Sequence, residues 1–348
     1  MKRVLTGIKP TGTPHLGNLL GAIEPAIAMT KEPDVESFLF IADLHSLTVR
    51  PDPAKLTEDV YHVAAAWLAS GLDPERVVFY RQSDVPEIAQ LAWIIGCGLP
   101  LGLLNRAHSF KDAKAKGTAE EDVHFGLFAY PVLMAADILA FDTDVVPVGK
   151  DQKQHLEIAQ EAARKFNLRY GDTLRVPEAR IDESVMSVPG IDRDGRKMSK
   201  SYDNTLSPFT PKKALQKRIK AIETDSTEFG APLPTEGDRI LALHRLLASP
   251  EATAALSAKY RSGRRDPSRP DADFEDPTQN YFGWGHAKKA LFEALEARFA
   301  GHRARYEALV ADRSAIDALL KQGAEKARGV AAAVLDRVER ASGLSPIR

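Results

Sequence analysis

Cysteine is nearly absent from this sequence. Cys97 is the single cysteine among 348 residues, which excludes a disulfide framework and a cysteine-rich metal site. A secretory signal peptide is not expected either, because the chain enters a predicted strand at Val4 without an apolar leader. The length suffices for two domains, and the composition is that of an ordinary globular protein. We therefore expect a two-domain protein located in the cytoplasm.

A long apolar run free of charge is also lacking. Residues 123–141 come closest, with Asp137 and one histidine as the titratable groups, but Pro131 lies in the interior of the run. A charged residue at membrane depth is costly and rare. We interpret this run as a buried helix over residues 131–140. Residues 91–104 are uncharged but broken by glycine and proline, and are predicted to be buried or to face another subunit.

Net charge is small, at −1 for the whole chain, but it is unevenly distributed. Residues 210–348 carry 24 Lys and Arg against 19 Asp and Glu, a net charge of +5, whereas residues 1–209 carry 23 against 29, a net charge of −6. A basic C-terminal part suits a polyanion that touches only that part of the surface. Residues 212–220 hold five basic side chains among nine, and a solvated helix face explains them as well as nucleic-acid contact does.

Short apolar runs alternate with helical patterns in the first 205 residues. This alternation predicts a doubly wound, Rossmann-type parallel sheet. The predicted strands cover residues 4–5, 37–42, 76–80 and 144–149, with a helix at 54–70. Residues 206–348 are predicted to form an α-helical domain that contains a long polar loop, 262–283, of unknown function. From residue 284 onward the spacing indicates a bundle of short helices joined by tight turns.

The N-terminal strand leads through a turn rich in glycine and proline into a helix. Such a turn aims unpaired N–H groups at one place, where an anion can sit. His15 lies in the first turn of the helix and Asn18 one turn later, so both are expected to project toward the same opening. Taken alone, this pattern describes an ordinary strand–helix turn equally well.

Polar residues follow the predicted strands, where open α/β sheets bind their ligands. Asp43-Leu44-His45 and Gln82-Ser83-Asp84 stand at two such strand ends.

Asp137 lies one helical turn after Met134 in the apolar run, and a carboxylate there needs a partner. A hydrogen bond within the core is one explanation. The other is that Asp137 accepts a hydrogen bond from a ligand N–H such as that of an indole, which is apolar elsewhere.

Two distant segments resemble the signatures of class I aminoacyl-tRNA synthetases. His15-Leu16-Gly17-Asn18 is similar to the His-Ile-Gly-His element, with asparagine in place of the second histidine, and residues 197–201 read Lys-Met-Ser-Lys-Ser. Residues 130–139 and 146–155 resemble the tryptophan pocket of the tryptophanyl-tRNA synthetases. We see no pocket motif of the tyrosyl enzymes.

The resemblance implies that ATP activates tryptophan as an adenylate, that Mg²⁺ bridges the phosphates, and that tRNA(Trp) receives the amino acid. It also implies a homodimer and an anticodon-binding role for residues 206–348. The catalytic residues that it implies are His15, Asn18, Lys197 and Lys200. The implied ATP-binding residues are Lys9, Pro10, Thr11, Gly12, Gly17, Asn18, Gly149, Asp151, Val188, Lys197, Met198, Ser199 and Lys200. The implied tryptophan-binding residues are Leu5, Gly7, His45, Tyr130, Met134, Asp137, Val146, Val148 and Gln152. No metal held by protein side chains is predicted.

Within that pocket, the resemblance assigns the indole N–H to Asp137 and the ring to Met134, while Tyr130 and Gln152 hold the amino-acid end. Leu5 and Lys9 depart from the phenylalanine and glutamine that bacterial members usually carry. The loop at residues 111–122 is longer than in the family, and Lys111 and Lys114 both compete for its ATP-contacting lysine. A tyrosyl-tRNA ligase, a nucleotidyltransferase that is not a ligase, and a regulatory paralogue with weak charging remain as alternatives.

Overall fold

The computed structural model describes residues 1–105, 124–149, 153–181, 188–193 and 195–344. By their contacts they group into two compact units. The first unit comprises residues 1–12, 24–185 and 309–348, and the second comprises 13–23 and 186–308. This grouping differs from the predicted boundary at residue 205, because residues 13–23 group with the second unit and 309–348 with the first.

The first unit is built on a five-stranded parallel sheet. Its strands are β1 (Lys2–Ile8), β2 (Val35–Ile41), β3 (Val77–Arg81), β4 (Val145–Val148) and β5 (Glu178–Ile181). The strand order is β3-β2-β1-β4-β5, so the chain reverses its direction of winding beside β1. The pairing of β1 with β2 runs from Lys2 opposite Val35 to Ile8 opposite Ile41. The predicted doubly wound parallel sheet is confirmed.

Continuous apolar runs explain the central strands. Phe38, Leu39, Phe40 and Ile41 of β2 are all buried, as expected for a strand covered on both faces. The core of this unit joins residues of β1 to β4 with residues from helices on either side of them in the sequence. The helices of the first unit are α2 (Glu24–Met29), α3 (Asp43–Ser46), α4 (Pro53–Ala69), α5 (Glu87–Gly96), α6 (Leu101–Leu104), α7 (Phe125–Leu139), α8 (Lys153–Tyr170) and α13 (Ser314–Ser342).

The second unit is helical among its described residues. Its helices are α1 (Leu16–Asn18), which continues into a π-helical turn (Leu19–Ile23), then α9 (Lys212–Lys220), α10 (Arg239–Leu247), α11 (Pro250–Ser262) and α12 (Trp284–Ala311), whose last three residues group with the first unit. Buried leucines and aromatic side chains such as Leu241, Tyr260 and Phe299 form its core. The polar segment 262–283 contains two short 3₁₀ turns, Asp271–Asp273 and Pro277–Asn280.

The C-terminal helix packs against the sheet of the first unit. At Gly323 of α13, a Cβ atom would lie 1.7 Å from the carbonyl oxygen of Phe79 in β3, so only glycine permits this approach. The prediction of short helices from residue 284 onward is wrong, because α12 and α13 have 28 and 29 residues. The break at residues 312–313 separates α12, most of which groups with the second unit, from α13, which groups with the first.

The predicted helix at 131–140 begins too late, because α7 starts at Phe125. The side chain of His124 caps this helix by accepting the N–H of Leu127. Pro131 lies within α7 and leaves the carbonyl of Leu127 without its helical donor. None of the described helices is long and apolar enough to cross a membrane.

The predicted buried segment at 91–104 is only partly buried. Leu91 and Ile95 of α5 and Leu104 of α6 face the core, whereas Trp93 is 73% exposed and Leu101 64% exposed. A helix can bury only one of its faces against a single neighbour. Because the segment carries no charged residue, the sequence did not distinguish its buried face from its exposed face.

Candidate active site

A cavity of about 540 Å³ opens in the first unit near the carboxyl ends of its strands. Its walls are mainly apolar. The polar side chains among them are Thr6, Lys9, His45, Thr48, Tyr130 and Asp137. The residues that line it are Leu5, Thr6, Gly7, Lys9, Phe40, Ala42, His45, Thr48, Val49, Leu127, Tyr130, Met134, Asp137, Ile138, Val146 and Pro147. A mainly apolar pocket with a few polar groups is the usual form of a site for a small organic ligand.

Helical spacing brings one wall of the cavity together. Tyr130, Met134 and Asp137 of α7 are four and three residues apart, so their side chains lie along one face of the helix. On the opposite wall, Gly7 of β1 leaves room for the ring of Phe40, since a Cβ atom there would come within 2.4 Å of that ring. A larger residue at position 7 would displace this wall.

Asp137 is the most deeply buried ionisable group of the cavity, at 1% exposure. Its Oδ2 lies 2.8 Å from Nε2 of His45, and its Oδ1 accepts a hydrogen bond of 2.7 Å from Nε2 of Gln82. An ionised carboxylate only accepts hydrogen bonds, so with Asp137 ionised the donor in this contact is Nε2 of His45. The ring of His45 meets that of Tyr130 edge to face, with centroids 6.2 Å apart.

Burial raises the pKa of Asp137, while the hydrogen bonds from His45 and Gln82 act in the opposite direction. Two oxygens offer about four acceptor positions, so two bonds within the protein leave capacity for a third donor. The arrangement can therefore hold a ligand N–H beside an apolar surface.

Lys9 also reaches this cavity. Its Nζ donates to Oγ1 of Thr48 at 3.3 Å, and burial lowers its pKa. Pro10, Thr11 and Gly12 follow it in the first unit, and Gly12 adopts φ +86°, a left-handed conformation that favours glycine.

In the second unit, His15 and Asn18 form a reciprocal cap at the start of α1. The N–H of Asn18 donates to Nδ1 of His15, and Oδ1 of Asn18 accepts the N–H of His15. Because Nδ1 is an acceptor here, the neutral ring carries its proton on Nε2. The cap thus fixes both the position and the tautomer of the imidazole.

The two signature segments meet in this unit. A Cβ atom at Gly17 would lie 3.0 Å from the ring of His15 and 3.6 Å from Cβ of Met198. Two further hydrogen bonds join these parts of the chain. The N–H of Leu16, within the first signature, donates to the carbonyl of Leu206, and the hydroxyl of Ser207 donates to the carbonyl of Pro14. Residues separated by more than 180 positions in the sequence therefore form one surface.

The charges of this surface act on His15. Burial lowers its pKa from 6.5 to about 4, and the positive charges of Lys200 and Lys197 act in the same direction. The imidazole is consequently neutral near pH 7 and serves as a hydrogen-bond donor through Nε2. A neutral donor beside two ammonium groups is suited to a phosphate chain.

We expect His15 to remain neutral far below the usual range of histidine. The Cε1 proton signal of His15, assigned by its loss in His15→Asn, should show no titration between pH 8 and about 5.5, and a midpoint near 6.5 would contradict the assignment. Because the unfolded side chain titrates near 6.5 and the folded one near 4, the unfolded state binds more protons in between. Stability should therefore fall as the pH drops through this window, and less steeply in the variant.

No group of three or more His, Cys, Asp or Glu side chains suited to a metal ion occurs within the described ranges.

Comparison with known proteins identifies the family. Residues 1–300 match the family described as "tRNA synthetases class I (W and Y)". The chain belongs to this family. The resemblance to class I aminoacyl-tRNA synthetases, which rests on residues 15–18 and 197–201, is thus confirmed at the level of the family.

The synthetase is 47% identical over 332 residues to "Tryptophan–tRNA ligase" of Xanthomonas campestris pv. campestris, an alignment covering 94% of this chain and 72% of that protein. It is 42% identical over 353 residues to "Tryptophan–tRNA ligase" of Neisseria meningitidis serogroup A, with 100% and 99% covered. Its structure is similar to that of tryptophanyl-tRNA synthetase from Campylobacter jejuni complexed with ADP and tryptophan. The TM-score is 0.87 at 41% identity, and the match covers 98% of this chain and 100% of that one.

The structure gathers most of the predicted tryptophan-binding residues in the cavity of the synthetase. Seven of them line it: Leu5, Gly7, His45, Tyr130, Met134, Asp137 and Val146. Gln152 and the side chain of Val148 lie outside the described residues, as does the predicted loop at 111–122.

The predicted ATP-binding residues fall into two sets. Lys9 to Gly12 and Gly149, which directly follows β4, belong to the first unit, whereas Gly17, Asn18 and the residues from Val188 to Lys200 belong to the second. The N–H of Met198 donates to the carbonyl of buried Val188, and the hydroxyl groups of Ser199 and Ser201 lie 2.8 Å apart. Asp151 lies outside the described residues.

Gln82 and Thr48 take part in hydrogen bonds at the cavity and were not among the predicted site residues. Gln82 is the one that bonds to Asp137. It is fully buried and holds Asp137 from the end of β3. The signal was its position directly after a strand, among the polar residues 82–84.

Proposed function

We propose that this synthetase is a tryptophan–tRNA ligase. In the first step, the carboxylate of tryptophan attacks the α-phosphorus of ATP, the bond to the β-phosphate oxygen breaks, and pyrophosphate leaves. In the second step, a hydroxyl of the terminal ribose of tRNA(Trp) attacks the acyl carbon and AMP leaves. The observation that carries this proposal is Asp137, a buried acceptor in the wall of a mainly apolar cavity.

The chemistry of the cavity favours an indole. Met134, Leu5 and Val146 offer apolar contact to a flat ring, and Asp137 accepts its one N–H. Because His45 and Gln82 already hold the carboxylate, it is oriented before the ligand binds. Phenylalanine would leave this acceptor without its ligand donor, which costs about 1–3 kcal/mol. The curated relatives named above are tryptophan–tRNA ligases, which agrees with this preference.

The first step needs no general base, since a carboxylate is already a nucleophile. What it needs is orientation and compensation of charge on the leaving group. Lys197 and Lys200 are point charges that can follow pyrophosphate as it departs. Neutral His15 donates through Nε2, and the amide nitrogen of Asn18 is a second donor suited to a phosphate oxygen. ATP as the substrate is in keeping with the ADP in the related Campylobacter jejuni structure.

We propose that Mg²⁺ enters as part of the substrate, as the magnesium complex of ATP. Phosphate oxygens are hard ligands that magnesium prefers, and it usually keeps several waters beside them. Its role would be to neutralise the triphosphate charge, while Lys197 and Lys200 supply the charge that the protein itself contributes. Dependence of adenylate formation on the ratio of Mg²⁺ to ATP tests this assignment.

The tRNA is proposed to contact the helical second unit. Lys212 and Lys220 of α9 and Lys288 and Lys289 of α12 line one groove of that unit, and the Lys288 ammonium donates to the carbonyl of Lys220. Lys212 and Lys289 are paired there with Glu296 and Glu293, so Lys220 and Lys288 carry the excess positive charge of the groove. Such ammonium groups attract a phosphate backbone, with an affinity that falls steeply with salt. This placement supports an anticodon-binding role for residues 206–308, the part of the predicted region 206–348 that groups with the second unit. Filter binding of tRNA at two salt concentrations measures how much these ammonium groups contribute to the affinity for tRNA.

A homodimer and a cytoplasmic location complete the proposal. Trp93 and Leu101 expose large apolar side chains on the first unit, as does Phe125 at the start of α7, and a second copy of the chain would cover them. The molecular mass of the protein in solution distinguishes a dimer from a monomer. The cytoplasm is where translation consumes charged tRNA, so we place the enzyme there, and fractionation of cells tests that location.

The deciding experiment is the exchange of labelled pyrophosphate into ATP, run with tryptophan, with tyrosine and without amino acid. We expect exchange with tryptophan alone, because the reverse of adenylate formation requires the correct amino acid in the cavity. Charging of tRNA(Trp) in a separate assay then completes the reaction.

Each other outcome contradicts the proposal in a distinct way. Exchange with tyrosine would assign the chain to the tyrosyl branch of the same family. A folded sample without exchange would favour a regulatory paralogue, and the departures at Leu5 and Lys9 would be the first positions to revert.

A further inference from the structure

The segment that carries Lys197 and Lys200 has little regular structure of its own. An isolated bridge pairs Pro189 with Lys197, and one 3₁₀ turn covers Lys200–Tyr202. Yet two lysines can stabilise a leaving group only if their backbone is held in place. Another part of the second unit must therefore supply the constraint.

The side chain of Asn204 supplies it. This residue is 1% exposed, and all of its amide atoms are engaged. Oδ1 accepts the N–H of Ser199 at 2.7 Å, while Nδ2 donates to the carbonyl of Lys197 at 3.2 Å and to Oδ1 of Asp192 at 3.1 Å. One buried side-chain amide is thus hydrogen-bonded to the backbone on both sides of Met198.

The fit is specific to asparagine. An amide combines an acceptor with two donors on a short side chain, whereas aspartate offers only acceptors and leucine offers neither. Gly190 makes room for the group, since a Cβ atom at that position would lie 2.0 Å from Nδ2 of Asn204. The backbone carbonyl of Asn204 also accepts the N–H of Ile191. The preceding loop is therefore shaped around this amide.

The residues before and after Asn204 are themselves held in place by hydrogen bonds. Arg218 of α9 donates to the carbonyl of Thr205 at 2.6 Å and to the carboxylate of Asp203 at 2.7 Å. Asp203 adopts φ +48°, a left-handed conformation that turns the chain out of the 3₁₀ turn. The residues on either side of Asn204 are thus fixed to a regular helix.

We propose that Asn204 is a positioning residue for the adenylation reaction. Its amide holds the backbone of residues 197 and 199 so that the ammonium groups of Lys197 and Lys200 meet the departing pyrophosphate. This role rests on the proposed function, and it extends to a residue outside the catalytic signatures. Removing the two donors should loosen the lysines without touching the cavity that contains Asp137, which belongs to the first unit.

The test is Asn204→Asp, compared with Asn280→Asp as a matched control. Asn280 is equally buried at 1%, and its amide also grips a loop of the second unit, accepting from the N–H of Asp266 and donating to the carbonyls of Asp266 and Arg269. Both substitutions keep side-chain size and turn two donated hydrogen bonds into contacts between acceptors. Both should lower Tm, Asn204→Asp by more, because it also brings a second carboxylate up to that of Asp192.

For Asn204→Asp we expect kcat of tryptophan-dependent pyrophosphate exchange to fall about 10- to 100-fold, with the KM for tryptophan unchanged within two-fold. Asn280→Asp should leave both constants near those of the unchanged protein. Equal losses of kcat in the two variants, or no loss in Asn204→Asp, would overturn the proposal. Absence of exchange in the unchanged protein would instead count against the proposed function.

Limited digestion with trypsin gives a second measurement that does not depend on activity. Arg196, Lys197 and Lys200 are exposed cleavage sites on the segment that Asn204 holds. Cleavage after these residues, located by mass spectrometry, should be several-fold faster in Asn204→Asp than in Asn280→Asp. Equal cleavage rates at these sites would contradict a role for the amide in holding the segment.

Discussion

Replacing Asp137 with alanine is expected to lower kcat/KM for tryptophan about 10- to 150-fold, which corresponds to the 1.5–3 kcal/mol of a hydrogen bond to a charged group. The ratio of kcat/KM for tryptophan to that for phenylalanine should fall by the same factor. Phenylalanine has no N–H to donate to Asp137, so it does not lose a hydrogen bond in this variant. The variant also leaves the donors of His45 and Gln82 without their partner. A loss of stability of about 1–3 kcal/mol should accompany the kinetic change.

Asp59→Ala is the control for this experiment. Asp59 is also a buried carboxylate of the first unit, but it bonds to Lys55 on α4 and does not line the cavity. It should change stability without changing the choice of amino acid. If Asp137→Ala kept the full preference for tryptophan, the carboxylate would serve only the core network, and the proposed indole contact would be wrong.

Replacing Lys200 with alanine is expected to lower kcat of pyrophosphate exchange about 100- to 1,000-fold, the usual effect of removing one preorganised donor to a charge that develops in the transition state. The KM for tryptophan should stay the same, because Lys200 is not among the residues that line the cavity. Lys200→Arg should recover only part of the loss, since it restores the charge with a different shape.

Lys259→Ala provides the comparison, because Lys259 lies on α11 of the same unit and is not part of either signature segment. It should leave exchange unchanged. A rise in the KM for ATP with unchanged kcat in Lys200→Ala would mean that the lysine binds ground state and transition state equally. That result would contradict its role toward the leaving group.

Local chemistry made several features of this synthetase predictable. Apolar runs such as residues 37–42 have the length and continuity of buried parallel strands, and β2 indeed runs from Val35 to Ile41. The signature residues His15 and Lys200 are recognisable through the resemblance of their segments to class I signatures, since the pattern around His15 taken alone describes an ordinary turn equally well. Helix ends were predicted less well, as at Phe125, because the cap by His124 depends on one local hydrogen bond.

The sequence by itself thus determined the parallel sheet, the family and the types of side chain in the site. Only the tertiary structure decided which of them meet. His45 and Gln82 lie 92 and 55 positions from Asp137 and reach it only because parallel strands end at one edge of the sheet. Likewise, Gly323 allows the last helix to approach β3 closely, and the buried amide of Asn204 donates to the carbonyl of Lys197. Periodicity records which face of a segment is buried, whereas its partner depends on the packing of the whole chain.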